Sequence, residues 1–291
     1  MQITGKTKLL GVIGDPIAHS LSPVMHNAAI AHLGLDYIYL PFQIKPEDLS
    51  VAIEGFRAIN LQGFNITIPH KQAIIPLLAE ISSTARLVGA VNTVYQTPQG
   101  WAGTNTDVQG FIAPLKKMRD WQGTQVLILG YGGAARAVVA GCQQLGCTEI
   151  HVAGRNPEKL RDFWQSWADF PGLVSIHPWE QRAILLPHVD LVVNTTPIGT
   201  TPDVNTSPVE LSMTGLKSGA IAYDLIYNPA KTLFLHQAEQ AGATILNGLE
   251  MLVQQGAAAL EMWLGCPVPL DVMQQSLASY QGLPTIVKAL Q

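Results

Sequence analysis

The sequence predicts an α/β protein of two units, each built on a largely parallel sheet, and three observations carry that prediction. Short β-rich runs alternate with amphipathic segments from Leu9 to Thr106, the pattern of repeated βα units. A glycine cluster, Gly130-Tyr131-Gly132-Gly133-Ala134-Ala135-Arg136, follows the apolar run Val126 to Leu129 and opens an alanine-rich segment. The length, 291 residues, exceeds what one core of ordinary size serves, so each unit is expected to bury its own.

In order, Leu9 to Ile13, Tyr37 to Phe42 and Gly63 to Ile68 read as strands, and Pro23 to Leu33, Pro46 to Ile59 and His70 to Ala79 as helical segments. Ser22 before Pro23 reads as an N-cap with proline at the first helical position, where the missing N–H would have no partner anyway. Val91 to Tyr95 and Gly100 to Gly103, separated by Thr97-Pro98-Gln99, read as a hairpin that closes the first unit. A helix from about Asp107 to Met118 leads into the second unit, where strands near Val126, Ile150, Val174, Leu191, Ile221 and Thr244 alternate with helices and loops. Helical periodicity returns in Leu249 to Leu264 and Val272 to Tyr280. These tail helices are expected to fold back on the first unit, which makes it discontinuous.

Composition excludes several classes of function. Hydrophobic residues make up 47% and charged residues 13%, the latter well under the ~25% usual in soluble domains. Mean hydropathy is +0.20, yet no apolar run approaches the ~18 residues of a membrane span. The run Leu9 to Gly14 is too short for the core of a signal peptide. A cytoplasmic protein without a membrane partner is expected. The net charge of −4 and the dispersal of 17 Lys and Arg residues give no field that would draw nucleic acid. Cys142, Cys147 and Cys266 lack C-x-x-C spacing and read as buried thiols, and the histidines form no His-x-x-x-His pair, so no metal is expected.

The glycine cluster has the strand-turn-helix setting of a dinucleotide fingerprint, which makes the second unit Rossmann-type and doubly wound. Gly130 allows the tight turn, Gly132 lets the backbone approach a pyrophosphate, and Ala135 permits close helix–sheet packing. The helix start at Gly133 and Ala134 presents unpaired N–H groups to the phosphates. The next strand, Glu149 to Ala153, ends in Gly154-Arg155-Asn156, where an NAD-binding unit would carry a carboxylate for the ribose 2′-hydroxyl. Arg155 there offers a cationic fork that matches a 2′-phosphate, so the expected cofactor is NADP(H). Lys159 and Arg161 either add positive field or form a solvated helix face after the Asn156-Pro157 turn.

Two polar clusters are hard to explain by packing. In Gly63-Phe64-Asn65-Ile66-Thr67-Ile68-Pro69-His70-Lys71, Asn65 and Thr67 alternate with apolar residues before a lysine at a helix start, where a cation opposes the macrodipole by about 0.3–1 kcal/mol. Lys71 is either functional or an exposed lysine whose cost solvent screens. The second cluster, Gly89-Ala90-Val91-Asn92-Thr93 with Gly103-Thr104-Asn105-Thr106-Asp107, ends on an aspartate that is either an N-cap or one half of a Lys–Asp pair at a substrate hydroxyl.

These residues carry a resemblance. Ser20-Leu21-Ser22-Pro23, Asn65-x-Thr67-x-Pro69-x-Lys71, Gly89-Ala90-x-Asn92-Thr93, Asn105-Thr106-Asp107, Gly130-x-Gly132-Gly133-Ala134-x-Arg136, Tyr223-Asp224-x-x-Tyr227 and Gln255 occur in the order seen in shikimate dehydrogenases. The chain resembles that family over nearly its whole length. The resemblance implies NADPH-dependent reduction of 3-dehydroshikimate to shikimate, on the pathway to chorismate and the aromatic amino acids. It implies a discontinuous substrate domain, residues 1–106 and 248–291, and an NADP-binding Rossmann domain, residues 107–247, flanking a cleft. A monomer or homodimer is expected. Lys71 and Asp107 match the catalytic pair. Ser20, Ser22, Asn65, Thr67, Asn92, Tyr227 and Gln255 match positions that hold the substrate's carboxylate and hydroxyls. Gly130, Gly132, Gly133, Ala134, Arg155, Asn156, Thr195, Thr196 and Gly248 are placed with the cofactor.

One departure bears on the cofactor: the family often has Asn-Arg-Thr where this chain has Gly154-Arg155-Asn156, so two side chains that could grip the 2′-phosphate are changed. His70 is read as a surface residue or one layer behind the substrate. A quinate/shikimate dehydrogenase using NAD is the near alternative; Ser20, Ser22 and Thr67 favour shikimate, and the missing acid beside Arg155 disfavours NAD. A catalytically silent ligand sensor is disfavoured because both Lys71 and Asp107 are present.

Overall fold

The computed structural model describes residues 2–211 and 215–280. In chain order its elements are β1 (Lys8–Gly14), α1 (Ser22–His32), β2 (Tyr37–Gln43), α2 (Leu49–Ala58), β3 (Gly63–Ile66), β4 (Glu80–Ile81), α3 (Ser83–Val88), β5 (Thr93–Thr97), β6 (Gly100–Thr104) and α4 (Asp107–Leu115). There follow β7 (Gln125–Leu129), α5 (Gly133–Leu145), β8 (Glu149–Gly154), α6 (Pro157–Gln165), β9 (Val174–Pro178), α7 (Arg182–Leu185), β10 (Leu191–Asn194), β11 (Ile221–Asp224), α8 (Leu233–Gln240), β12 (Thr244–Leu246), α9 (Leu249–Leu264) and α10 (Leu270–Tyr280). The chain divides into two compact units, Met1–Gly110 with Leu252–Gln291, and Phe111–Met251. The divisions fall inside α4 and α9, past the expected junctions, because each helix runs on through the connection.

The first unit holds a sheet of order β2-β1-β3-β5-β6-β4. β1 lies parallel to β2 and β3, and β4 to β6, while β5 runs antiparallel to both β3 and β6. Phe64 and Ile66 of β3 enter an apolar core with Ile13, Phe56 and Trp101; the Phe64 ring stands 5.2 Å from Phe56 and 5.3 Å from Trp101. Strand alternation turns Asn65 to the opposite face. α9 docks on the sheet through Trp263, whose Nε1 donates to the Val94 carbonyl at 2.9 Å. Gly63 makes room for it: a Cβ there would stand 2.1 Å from Trp263 Nε1. α10 packs along α1.

Two local expectations for this unit are corrected, and the reading of His70 is narrowed to an interior residue. His70 to Ala79 forms turns with a single 3-10 turn at Ile75–Leu77, not a helix. Pro76 has no N–H to continue the bond that Ile74 N makes to His70 O at 3.0 Å. Lys71 therefore faces no helix dipole, and the macrodipole argument for it falls. Ser22 is the first residue of α1 and not its cap; Leu21 caps without a side-chain bond, its carbonyl already accepting from Val24 N. His70 is buried, its Nε2 lying 2.7 Å from the Ile44 carbonyl oxygen.

The second unit has an all-parallel sheet, β12-β11-β10-β7-β8-β9. The order reverses between β7 and β10, and ligands of such sheets bind at the carboxyl ends of the strands at that point. Leu127, Leu129, Val192, Ala222 and Phe234 belong to its core. α5 lies close on α4, since a Cβ at Gly141 would stand 2.5 Å from the Phe111 ring.

Candidate active site

In the first unit, the pairing of β3 with β5 and of β5 with β6 brings three polar segments together. Val91 N donates to the Lys71 carbonyl at 2.8 Å, which holds the turn after β3 against the loop before β5. Lys71 Nζ donates to Asp107 Oδ2 at 2.5 Å, with side-chain exposures of 18% and 8%. Asp107 does not cap α4. The capping acceptor is Asn105 Oδ1, which takes Asp107 N at 3.0 Å and Val108 N at 3.4 Å, so both Asp107 oxygens are free for side chains.

Asn92 is the hub. Its Oδ1 accepts Thr106 N at 2.8 Å, which orients the amide. Its Nδ2 then donates to Asp107 Oδ1 at 2.8 Å and to Gln255 Oε1 on α9 at 3.3 Å. Behind it, Asn65 Nδ2 donates to the Asn92 carbonyl and to Thr93 Oγ1, both at 3.1 Å, while Tyr39 OH donates to Asn65 Oδ1 at 2.7 Å. Tyr39 stacks on His26 with centroids 4.1 Å apart. Burial pushes the Tyr39 hydroxyl well above the usual phenol range and lowers His26 to about 4. Ser20 Oγ accepts Ser22 N at 3.3 Å, and Thr67 leaves β3 with its N–H on the Ile13 carbonyl at 2.9 Å.

The structure thus joins Lys71, Asp107, Asn92, Asn65 and Gln255 in one bonded network. Ser22 reaches that network through a side-chain hydrogen bond with Tyr39, the residue that donates to Asn65, and Ser20 and Thr67 belong to the same unit. Sequence reasoning missed Tyr39 and His26: a tyrosine in an apolar strand and a histidine on a helix give no signal beyond core packing. Chemically, an ammonium with three N–H donors spends one on Asp107 and keeps two that can donate to another oxygen.

In the second unit, Gly130 has φ 108°, open to glycine alone without strain, and a Cβ there would stand 2.6 Å from Thr195 Oγ1. Gly132, the N-cap of α5, differs: a Cβ there would meet nothing within 4 Å. The protein's own packing does not require glycine at 132, as expected if a ligand's phosphate approaches there. Thr195 is fixed by Oγ1 donating to the Leu129 carbonyl at 2.7 Å, and Thr196 by Oγ1 donating to Asn194 Oδ1 at 2.7 Å. Asn194 Nδ2 donates to Asp224 Oδ1 at 3.0 Å; Asp224, fully buried, also accepts Thr232 Oγ1 at 2.6 Å and Ile226 N at 3.1 Å. Burial raises its carboxyl to about 6. Tyr227 follows this hub, its hydroxyl pushed up by burial.

Arg155 is exposed, with no hydrogen-bond partner among the described residues. Asn156 is the N-cap of α6, its Oδ1 accepting Lys159 N at 2.9 Å. Gly248 has a packing reason of its own: a Cβ there would lie 2.0 Å from the Leu225 carbonyl oxygen. An open phosphate approach, an unpaired guanidinium and no acid at the end of β8 fit NADP(H). Among the described residues no group of three or more metal-ligating side chains occurs, and no helix is long and apolar enough to cross a membrane.

The chain is similar to known proteins over nearly its whole length. A family model described as the shikimate dehydrogenase substrate binding domain matches residues 12–94, and one described as the shikimate 5′-dehydrogenase C-terminal domain matches residues 248–278. The chain is 59% identical over 285 residues to the shikimate dehydrogenase (NADP+) of Gloeothece citriformis, covering 97% of this chain and 99% of that one. A crystal structure of a shikimate dehydrogenase in complex with NADP+ superposes with a TM-score of 0.87 at 36% identity, covering 96% of this chain and 97% of that one. The Thermus thermophilus shikimate 5-dehydrogenase in complex with NADP(H) and shikimate gives 0.83 at 33% identity, covering 94% and 99%.

Proposed function

The chain belongs to the shikimate dehydrogenase family, and from that premise we propose how its residues carry out the NADP-dependent reduction of 3-dehydroshikimate to shikimate. The observation that carries the reading is the Lys71–Asp107 pair at 2.5 Å, held by Asn92. NADPH, when bound, supplies the hydride to the carbonyl carbon. Lys71 donates a proton to the oxygen of that carbonyl as it becomes an alkoxide, and the product is the alcohol. Asp107 accepts from the lysine and fixes the direction of its other N–H bonds. Asn92, anchored by Thr106, keeps Asp107 from rotating, so the donor is in place before reaction and little is lost to reorganisation.

Asn65, Asn92 and Gln255 stand beside the pair and hold the ring hydroxyls; Ser20, Ser22 and Thr67, with Tyr227, hold the carboxylate and the remaining hydroxyl. Gly130 to Ala134 take the pyrophosphate on the N-terminus of α5, with Thr195, Thr196 and Gly248 beside the cofactor and Arg155 and Asn156 toward the 2′-phosphate. The protein works in the cytoplasm on small molecules, as monomer or homodimer, with neither nucleic acid nor membrane as partner.

Steady-state kinetics test this reading: 3-dehydroshikimate with NADPH and with NADH, and shikimate and quinate in the reverse direction. Strong preference for NADPH and shikimate is expected, and Lys71→Ala should cut kcat far more than it raises KM. Equal efficiency with NADH or quinate overturns the specificity assigned, and near-normal turnover of Lys71→Ala removes the lysine from the mechanism.

A further inference from the structure

β7 and β8 lie side by side, with Leu129 opposite Ala153, so the turn after β7 and the end of β8 are neighbours. Tyr131 of that turn lies against Gly154. A Cβ at 154 would stand 2.3 Å from Tyr131 Cδ1, 2.5 Å from Cε1 and 3.1 Å from Leu160 Cδ1. Bulk at the end of β8 thus comes from residue 131, and any side chain at 154 would displace the ring. Gly154 is buried and Tyr131 half-buried, and the Tyr131 hydroxyl has no hydrogen-bond partner among the described residues.

The end of the second strand is where a dinucleotide fold reads the ribose 2′-position. Gly154 brings no side chain to it, and Asn156 Oδ1 is committed to Lys159 N at 2.9 Å. The Arg155 guanidinium and the Tyr131 phenol have no hydrogen-bond partner among the described residues, and beside them the Asn156 amide keeps its Nδ2 as a donor. Resting on the NADP reading above, we infer that Tyr131 is a specificity-determining residue whose hydroxyl donates to the 2′-phosphate beside Arg155, its ring held in place by the bare Gly154 backbone. Tyr131 thereby adds a donor that Gly154, having no side chain, cannot supply.

Calorimetric titration of the full chain with 2′,5′-ADP and with 5′-AMP isolates this contact from turnover. The wild type should bind 2′,5′-ADP more tightly. Tyr131→Phe removes one oxygen and should weaken 2′,5′-ADP by about tenfold or more, the worth of a hydrogen bond to a charged group, while leaving 5′-AMP within about twofold. Gly154→Ala, which pushes the ring aside, should lower the same preference. Tyr131→Phe keeping the wild-type ratio overturns the role of the hydroxyl while the NADP reading stands. A wild type that binds both nucleotides equally overturns the NADP reading, and this proposal with it.

Discussion

Replacing Asp107 by Asn should nearly silence the enzyme without unfolding it, and the structure sets the size of the effect. Asn92 Oδ1 accepts Thr106 N at 2.8 Å, so the Asn92 amide cannot flip, and its Nδ2 must face residue 107. An asparagine at 107 would therefore turn its oxygen to Asn92 and its NH2 to Lys71. Donor then meets donor, and the lysine loses both its partner and its direction. The lost charge-assisted bond is worth about 1.5–3 kcal/mol, and the misdirected ammonium adds a similar share of transition-state stabilisation. Together about 3–6 kcal/mol corresponds to a fall of roughly two to four orders of magnitude in kcat/KM. The volume and the Asn92 bond survive, so KM should move by less than about tenfold. The assay is initial-rate reduction of 3-dehydroshikimate at saturating NADPH, with Lys71→Ala and the double variant alongside. Residues acting as one unit are not additive, so the double variant should be little worse than the poorer single one. A loss below about fivefold for Asp107→Asn, or full additivity in the double variant, would refute the pairing.

Stability should depend on pH with opposite signs in the two units. His26, lowered by burial from 6.5 to about 4, stays neutral in the fold while the unfolded chain takes up a proton, so stability falls as pH drops from about 6.5 to about 4, by at most roughly 3 kcal/mol. Urea midpoints should show that slope in the wild type and its loss in His26→Phe; equal slopes would count against it. Asp224, raised by burial from 3.8 to about 6, binds a proton more readily folded than unfolded. Its contribution is fully present below about 3.8 and lost as pH rises through about 6, so Asp224→Asn should remove a gain toward acid, and an unchanged midpoint profile would contradict this. Gly248→Ala places a Cβ 2.0 Å from the Leu225 carbonyl oxygen, and a clash with backbone cannot relax by a rotamer change. It should lower stability by about 1–3 kcal/mol in thermal denaturation, and a variant as stable as the parent would show that the loop gives way freely.

The sequence by itself determined the two-unit α/β class and the nucleotide turn, while it left Lys71 and Asp107 open between a functional pair and ordinary surface and capping roles until the family resemblance chose between them. The class and the turn rest on local signals: strand and helix periodicity, and glycines whose backbone demands are confined to a few residues. It misled at His70 to Ala79, where apolar spacing resembled a helix but Pro76 stops the bonding, so the dipole argument for Lys71 falls. The tertiary structure alone decided which acceptor caps α4, that Asn92 is the hub of the Lys71–Asp107 pair, and that Tyr39 anchors Asn65. It also decided that Gly154 is bare because the Tyr131 ring lies on it. Apart from the cap, which Asn105 supplies from two and three residues away, each of these is a bond or contact between residues far apart in the chain, set by strand register and packing. No local pattern encodes which of several polar side chains will meet once the sheet has formed.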